Sequence, residues 1–387
     1  MKIVHLTGEY PPYFLGGLGT YVHEITKQLA FLGCGVEVIL LKDAEKVYNQ
    51  LSIKARVTAP VTTKKFQVKS FDKISSTPLN TEDMVKSFRL KKIVNKHIDL
   101  LHIHDWYGVL FGACIKYSKK VPVVITSHLP IRAGFTYTGH DIPLKQKMQL
   151  ESLGFRIADL VLAPSQFVAD VLMSEYNVDK KKLRVISNGV DLETFKPLLA
   201  KKLFDQQKVK LLSVSRLTEQ KGIVYLLDVL KKLSESTTLF TCTIVGEGPL
   251  KRQLEIECAR LSLSDVVTFT GFLEKEAVKS LYREHDMFIS TSIYEPFGLV
   301  ILEAMASGLP PVAFNIGGIR EIVDSEVDGI LVEPCNTEEM AALIKDYTKS
   351  KKKLALLSEN AQTKALKYDW KSIAYQVYTT YEELISR

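Results

Sequence analysis

The chain has 387 residues, 46% of them hydrophobic and 25% charged. At roughly 150 residues per domain this is material for two or three domains with sizeable cores, and it excludes a disordered or fibrous polymer. Lysine and arginine together number 51 against 44 acidic residues, a net charge of +7, which suits phosphate or an anionic surface without calling for nucleic acid.

In chain order, the first expected element is a strand, Ile3 to Leu6. A turn rich in Gly and Pro, Glu9 to Gly19, leads into a helix. Its Val22, Ile25, Leu29 and Leu32 recur at i, i+3, i+7 and i+10 on one face. Gly33 and Gly35 end that helix, and Val36 to Leu41 starts the next strand. Further strands are expected at Leu100 to His104, Pro122 to Ser127, Leu160 to Ala163 and Leu183 to Ser187. Such runs, apolar on both faces, belong in a parallel sheet covered by helices on each side.

Asp191 to Lys208, with Pro197 and several Lys and Gln residues, breaks the alternation and reads as a linker. A second series follows: strand Val209 to Ser215, helix Ile223 to Leu233, strand Thr241 to Val245, helix Leu250 to Leu261, strand Val266 to Thr270, helix Lys275 to Glu284, strand Met287 to Ser290, and a helix opening near Phe297. The expected organisation is α/β, with two doubly wound parallel-sheet, Rossmann-like domains over 1–198 and 199–369. The aromatic-rich helix Trp370 to Glu383, within 370–387, is expected to cross back onto the first domain. Ligands of open parallel sheets bind beyond the carboxyl ends of the strands, so the cleft facing both domains is the expected site.

Five scattered cysteines, none in a C-x-x-C, argue against a disulfide framework or zinc site and for a reducing, cytoplasmic setting. The N-terminus runs straight into a strand without the pattern of a signal peptide, and no apolar stretch reaches 18 residues. A soluble protein is expected, with association to a membrane surface left open.

Three motifs carry chemistry. Gly16-Gly17-Leu18-Gly19 lies between a strand and a helix, where it is either a plain tight turn or a loop whose N–H groups approach an anion. Neither it nor Gly246-Glu247-Gly248 completes the G-x-G-x-x-G dinucleotide fingerprint, which removes most support for hydride transfer. Arg216 and Lys221 stand between a strand end and a helix start, either as solvated surface cations or as a clamp for a diphosphate. In Tyr294-Glu295-Pro296-Phe297-Gly298-Leu299, continuing to Glu303, two carboxylates lie about 12 Å apart if wholly helical. That spacing suits separate hydroxyl-binding roles better than a shared reacting atom. His102 and His104 point to one side of their strand at a spacing that could suit a metal, but no third ligand is evident and there is no Asp-x-Asp. No metal or other cofactor is expected.

Taken in order, these residues resemble the retaining glycosyltransferases of the GT-B fold. Glu295 and Glu303 match the family's E-x7-E motif, and Arg216 and Lys221 match its diphosphate-binding pair. Tyr10-Pro11-Pro12 and Gly16-Gly17 are similar to the GT4 family. His102-Ile103-His104-Asp105-Trp106 and Tyr294 to Leu299 are similar to glycogen and starch synthases of the short archaeal kind. One departure stands out: where bacterial glycogen synthases carry Lys-x-Gly-Gly-Leu, this chain has Phe14-Leu15-Gly16-Gly17-Leu18, without the lysine.

The resemblance implies a nucleoside diphosphate sugar donor. Arg216 and Lys221 would neutralise the leaving diphosphate, and Glu303 would hold the ribose. Glu295 would bind donor-sugar hydroxyls, supported by Gly16, Gly17 and the backbone at Phe297, Gly298 and Leu299. His128 would hydrogen-bond the sugar, and Asp105 and Glu9 would lie near acceptor or sugar. The implied reaction is retaining transfer of a hexose, glucose first, from ADP- or UDP-glucose to an α-1,4-glucan. A free sugar, sugar phosphate or lipid-linked acceptor is the alternative, and an epimerase on the same scaffold a third possibility. Ile131 to Pro143 is the candidate acceptor segment.

Overall fold

A computed structural model of the chain describes residues 1–12, 16–41, 61–66, 97–133, 144–195, 208–236 and 239–386. Phe14 and Leu15, most of the candidate acceptor segment and the linker from 196 to 207 lie outside the described residues. By its internal contacts the chain forms two compact units, one of Met1–Ser187 with Trp370–Arg387 and one of Asn188–Asp369. The division falls earlier than residue 198 because Val190 donates its N–H to the Tyr368 carbonyl (2.7 Å) and pairs with Asp369, while Phe195 is buried in the second core.

The first unit is built on an all-parallel, seven-stranded sheet in the order β3-β2-β1-β4-β5-β6-β7. Its strands are β1 (Lys2–Thr7), β2 (Gly35–Leu41), β3 (Val61–Phe66), β4 (Leu100–His104), β5 (Val123–Thr126), β6 (Leu160–Ala163) and β7 (Leu183–Val185). Helices α1 (Gly17–Phe31), α2 (Val109–Lys119), α3 (Leu144–Ile157) and α4 (Gln166–Tyr176) join them. Every residue of β4, β5 and β6 is buried, as two-sided helix cover requires.

In α1, Val22, Ile25 and Leu29 are buried as their spacing predicts. Leu32 is not. The helix ends at Phe31, and Gly33 (φ 85°) closes it with the paired bonds Gly33 N–H to Ala30 and Cys34 N–H to Leu29. Leu32 is thereby turned outward and left 40% exposed.

The second unit repeats the plan with the order β10-β9-β8-β11-β12-β13, again all parallel. Its strands are β8 (Val209–Val214), β9 (Phe240–Val245), β10 (Val267–Gly271), β11 (Met287–Ser290), β12 (Pro311–Phe314) and β13 (Ile330–Val332). Its helices are α5 (Leu192–Phe195), α6 (Ile223–Glu235), α7 (Lys251–Arg260), α8 (Lys275–Glu284), α9 (Leu299–Ala306), α10 (Ile319–Ile322), α11 (Thr337–Thr348) and α12 (Lys351–Ala365). Leu226, Leu227, Leu230 and Leu233 of α6 and Ile301, Leu302, Ala304 and Met305 of α9 are at most 1% exposed. At about 1.5–3 kcal/mol for each large apolar side chain, such burial anchors the loops between them.

The last helix, α13 (Trp370–Ile385), belongs to the first unit. Trp370 packs edge-on to Tyr21 of α1 (centroids 5.8 Å), and the Tyr381 hydroxyl lies 2.5 Å from His102 Nδ1. Among the described residues no helix is long and apolar enough to cross a membrane, and all five cysteines are free.

In both sheets the chain starts centrally, runs outward, then returns to build the other side. The reversals fall between β1 and β4 and between β8 and β11. A crevice opens at such points beyond the carboxyl ends of the strands.

Glycines let the loop after β8 sit tightly against the loop after β9. Leu217 N–H donates to Glu247 O (2.9 Å) and Leu250 N–H to Leu217 O (3.1 Å). Gly246 has φ 136°, and a Cβ there would overlap the Ser215 carbonyl. Gly246→Ala is therefore expected to lower unfolding free energy by about 1–3 kcal/mol. Chemical denaturation checks this, and an unchanged midpoint would contradict the packing described.

Candidate active site

In the second unit the chain leaves β8 at Ser215, passes the exposed Arg216 and winds through a 3-10 turn, Glu219–Lys221, before α6. Gly222 makes that entry possible. It has φ 58°, and a Cβ there would overlap the Thr291 carbonyl beyond β11. The loops after the two central strands are stitched together by Ile293 N–H to Gln220 O (2.9 Å) and Gln220 Nε2 to Tyr294 O (3.1 Å). The outcome is an ion pair between Lys221 Nζ and Glu295 Oε2 at 2.6 Å, with side chains only 18% and 12% exposed.

Gly318 donates its N–H to Glu295 O (2.9 Å), and a Cβ there would overlap the Pro296 carbonyl, so a second glycine loop supports the motif from behind. Gly298, at φ 109°, is the N-cap of α9, which moves the helix start from Phe297 to Leu299. Ile301 and Leu302 donate back to Gly298 O. Among the described residues the N–H groups of Phe297, Gly298 and Leu299 make no hydrogen bond. They are donors at the positive end of a helix, beside a lysine.

Glu303, further along α9, is half-buried and accepts from the Tyr282 hydroxyl of α8 at 3.1 Å. Burial pushes its carboxyl up to about 7, opposed by the Tyr282 hydrogen bond and the charge of Lys275. Tyr282 itself is fully buried against Phe195 and Phe288 (centroids 5.7 and 5.8 Å), so its hydroxyl is a fixed donor.

In the first unit the reversal between β1 and β4 gathers the remaining candidates. Asp105, just past β4, has φ 54° and is buried. Its Oδ1 accepts the His128 N–H at 2.6 Å, and burial pushes its carboxyl well above the usual range. Parallel pairing puts His5 opposite His102, which supplies the third imidazole that sequence spacing did not reveal. His5, His102 and His104 offer nitrogens within 4.8 Å of one another, a group that could hold a metal.

The rings also make hydrogen bonds. His102 lies 2.7 Å from Thr126 Oγ1 as well as against Tyr381, and His104 lies between His5 (3.0 Å) and His128 Nε2 (3.3 Å). Burial lowers all four histidines, His5 and His128 to about 3 and the others well below their usual value, so they are neutral at ordinary pH. His5 Nε2 is sealed without a partner.

Glu9 is committed locally, its Oε2 accepting the Gly19 N–H in α1 (3.2 Å). Gly16 precedes α1 in extended backbone, and a Cβ there would meet nothing within 4 Å, so packing does not dictate a glycine.

The structure thus joins Lys221 to Glu295 and Asp105 to His128, and sets Glu303 against Tyr282. His5, Tyr282 and the glycines at 246, 248 and 318 escaped sequence reasoning. The only signal was Gly246-Glu247-Gly248, an incomplete dinucleotide fingerprint that the structure uses as the seat of the Arg216 loop.

The chain matches the models of two glycosyltransferase families, Glycosyltransferase Family 4 over residues 15–194 and Glycosyl transferases group 1 over residues 195–364. An uncharacterised glycosyltransferase of Methanocaldococcus jannaschii is 30% identical over 99% of this chain and 98% of that protein. A glycogen synthase of Mycobacterium tuberculosis is 26% identical over 97% of this chain and 92% of its own. The crystal structure of Anabaena HepE in complex with UDP-glucose superposes with a TM-score of 0.77 at 25% identity, over 99% of this chain and all of that one. The protein belongs to the GT4-type glycosyltransferases of the GT-B fold.

Proposed function

We propose that this glycosyltransferase is a retaining hexosyltransferase that takes glucose from a nucleoside diphosphate sugar, ADP- or UDP-glucose, and delivers it to a sugar hydroxyl. The observation that carries this reading is the cluster at the β8/β11 reversal: Lys221 fixed at 2.6 Å by Glu295, Arg216 at the strand tip, and unbonded N–H groups at Phe297 to Leu299. The likeness to a structure holding UDP-glucose supports the donor class.

Breaking the anomeric C–O bond builds positive charge on the sugar and negative charge on the departing diphosphate. Arg216 and Lys221 neutralise the latter, and the free N–H groups add fixed dipoles. Glu295 orients Lys221 through Oε2 and offers Oε1 to donor-sugar hydroxyls. Glu303 accepts the ribose hydroxyls while Tyr282 holds its other oxygen. His128, neutral, hydrogen-bonds the sugar, and Asp105 fixes the His128 backbone. The acceptor hydroxyl attacks from the side the diphosphate leaves, and the leaving phosphate takes its proton.

An α-1,4-glucan is the first acceptor to test, given the glycogen synthase relative. A small or phosphorylated sugar is the second reading, favoured by a first loop without the synthase lysine. The test is to incubate each nucleotide sugar with glucan, free sugars and sugar phosphates, weigh the products and read their anomeric configuration by NMR. An isomerised donor formed without acceptor would instead indicate an epimerase.

Arg216→Ala and Lys221→Ala are each expected to lower kcat about 10²–10³-fold while circular dichroism stays unchanged. Wild-type turnover in either variant would remove that residue from the diphosphate role.

Glu303 yields a pH dependence. Its carboxyl ionises near 7, and only the carboxylate accepts two ribose hydroxyls. UDP affinity should rise as pH increases toward about 7 and level off above it, with Glu303→Gln weaker and flat across the range. Calorimetry at several pH values checks this, and a pH-independent wild type would contradict the assignment.

A further inference from the structure

Lys147 lies in the first turn of α3 and is 3% exposed. Its ammonium stands over the indole of Trp106, 5.7 Å from the ring centroid, and that indole also stacks on Tyr107 (centroids 4.3 Å). Among the described residues the ammonium makes no hydrogen bond or ion pair. Burial pulls its pKa down. Lysines are almost never buried this far without an anionic partner.

Among the described residues the neighbouring carboxylates do not fill that role. Glu151, one turn along α3, accepts the Ile131 N–H (3.0 Å) and the Tyr176 hydroxyl through the same oxygen, and burial pushes its carboxyl up to about 7. Asp105 is turned to the His128 N–H. Burial biases both toward the protonated form. Among the described residues no acidic side chain occupies the first turn of α3, whose N–H groups carry the positive end of the helix dipole. Trp106 directly follows Asp105, and Asp105 holds the backbone of His128, so the ammonium belongs to the neighbourhood of the proposed reacting centre.

We propose that Lys147, held in place by Trp106, is the anion-recognition residue of the acceptor site, and that the acceptor carries a phosphate monoester. A phosphate brings a charge of about −1.5 to −2 and three acceptor oxygens, which match a compact ammonium at a helix N-terminus. A neutral glucan leaves that ammonium buried and unpaired. The inference rests on the glycosyl-transfer reading and narrows its acceptor.

The test compares each phosphorylated acceptor with its parent, using UDP- and ADP-glucose as donors. Glucose 6-phosphate, fructose 6-phosphate and inositol 1-phosphate are set against glucose, fructose, inositol and maltotriose. The wild type should favour a phosphorylated acceptor at least about tenfold in kcat/KM, on the scale of one charge-assisted hydrogen bond. Lys147→Met should bring the pair close to parity with an unchanged donor KM, and Lys147→Arg should restore part of the preference.

Binding is read separately as tryptophan fluorescence during titration with the same sugar phosphates and with inorganic phosphate at fixed ionic strength. A saturable change present in the wild type and lost in Lys147→Met is the expected result. Vesicles of phosphatidylinositol 4-phosphate, whose headgroup carries a phosphate monoester, set against soluble inositol phosphate tell whether the phosphate belongs to a lipid headgroup or a free sugar, and Lys147-dependent transfer to either supports the assignment. Equal use of parent and phosphorylated sugars, preference for maltotriose, or a preference that survives in Lys147→Met overturns it, as does the absence of saturable phosphate binding. If UDP binds but phosphate makes no difference, only this inference fails. If UDP does not bind at all, the transfer reading fails first.

Discussion

A single short contact, Lys221 Nζ to Glu295 Oε2 at 2.6 Å, links the two central strands of the second sheet at their carboxyl ends. Partly buried pairs of this kind contribute little to stability, because desolvating two ions offsets much of their attraction. The surrounding backbone nevertheless commits itself to it. Gly222 takes a left-handed conformation, Gln220 bonds to Tyr294, and Gly318 presses against Pro296. Such investment in a contact of small energetic worth makes sense if the ammonium must stand ready where negative charge will appear.

The two units place opposite chemistries on the same scaffold. At the β8/β11 reversal the chain offers permanent cations and unbonded amide groups, which suit a diphosphate. At the β1/β4 reversal it offers four neutral imidazoles and a carboxyl held toward protonation, which suit sugar hydroxyls. Burial does this tuning. It denies charge to His5, His102, His104 and His128, raises Asp105 and Glu151, and leaves Lys147 the cation that stands out near them.

Much of this was legible in the residue order because the fold follows local signals. Apolar runs, glycine stops and helical spacing mark β1, β2, β8, α6 and β11 to within a residue or two, and the charged motifs fall where strands end, whereas α1 begins at Gly17, inside the turn expected to run to Gly19. What was not legible depends on register or on backbone geometry. His5 is an isolated residue in a strand until parallel pairing sets it opposite His102. Leu32 fits the apolar face by periodicity, yet the helix closes one residue earlier. Gly298 at φ 109° delays α9 beyond Phe297. Gly246-Glu247-Gly248 was read only for the ligand it fails to bind, because its packing against Ser215 and Leu217 is a tertiary fact. Tyr282 and Lys147 sit on helices where nothing in the spacing distinguishes them from ordinary core or surface residues.

The most direct measurement is a crystal structure of the protein with UDP. The account predicts the diphosphate within hydrogen-bond distance of Lys221 and Arg216, with the Phe297 to Leu299 amide groups turned to the ligand and the ribose on Glu303. A nucleotide held away from Lys221 and Arg216, with those amide groups still unbonded, would contradict it.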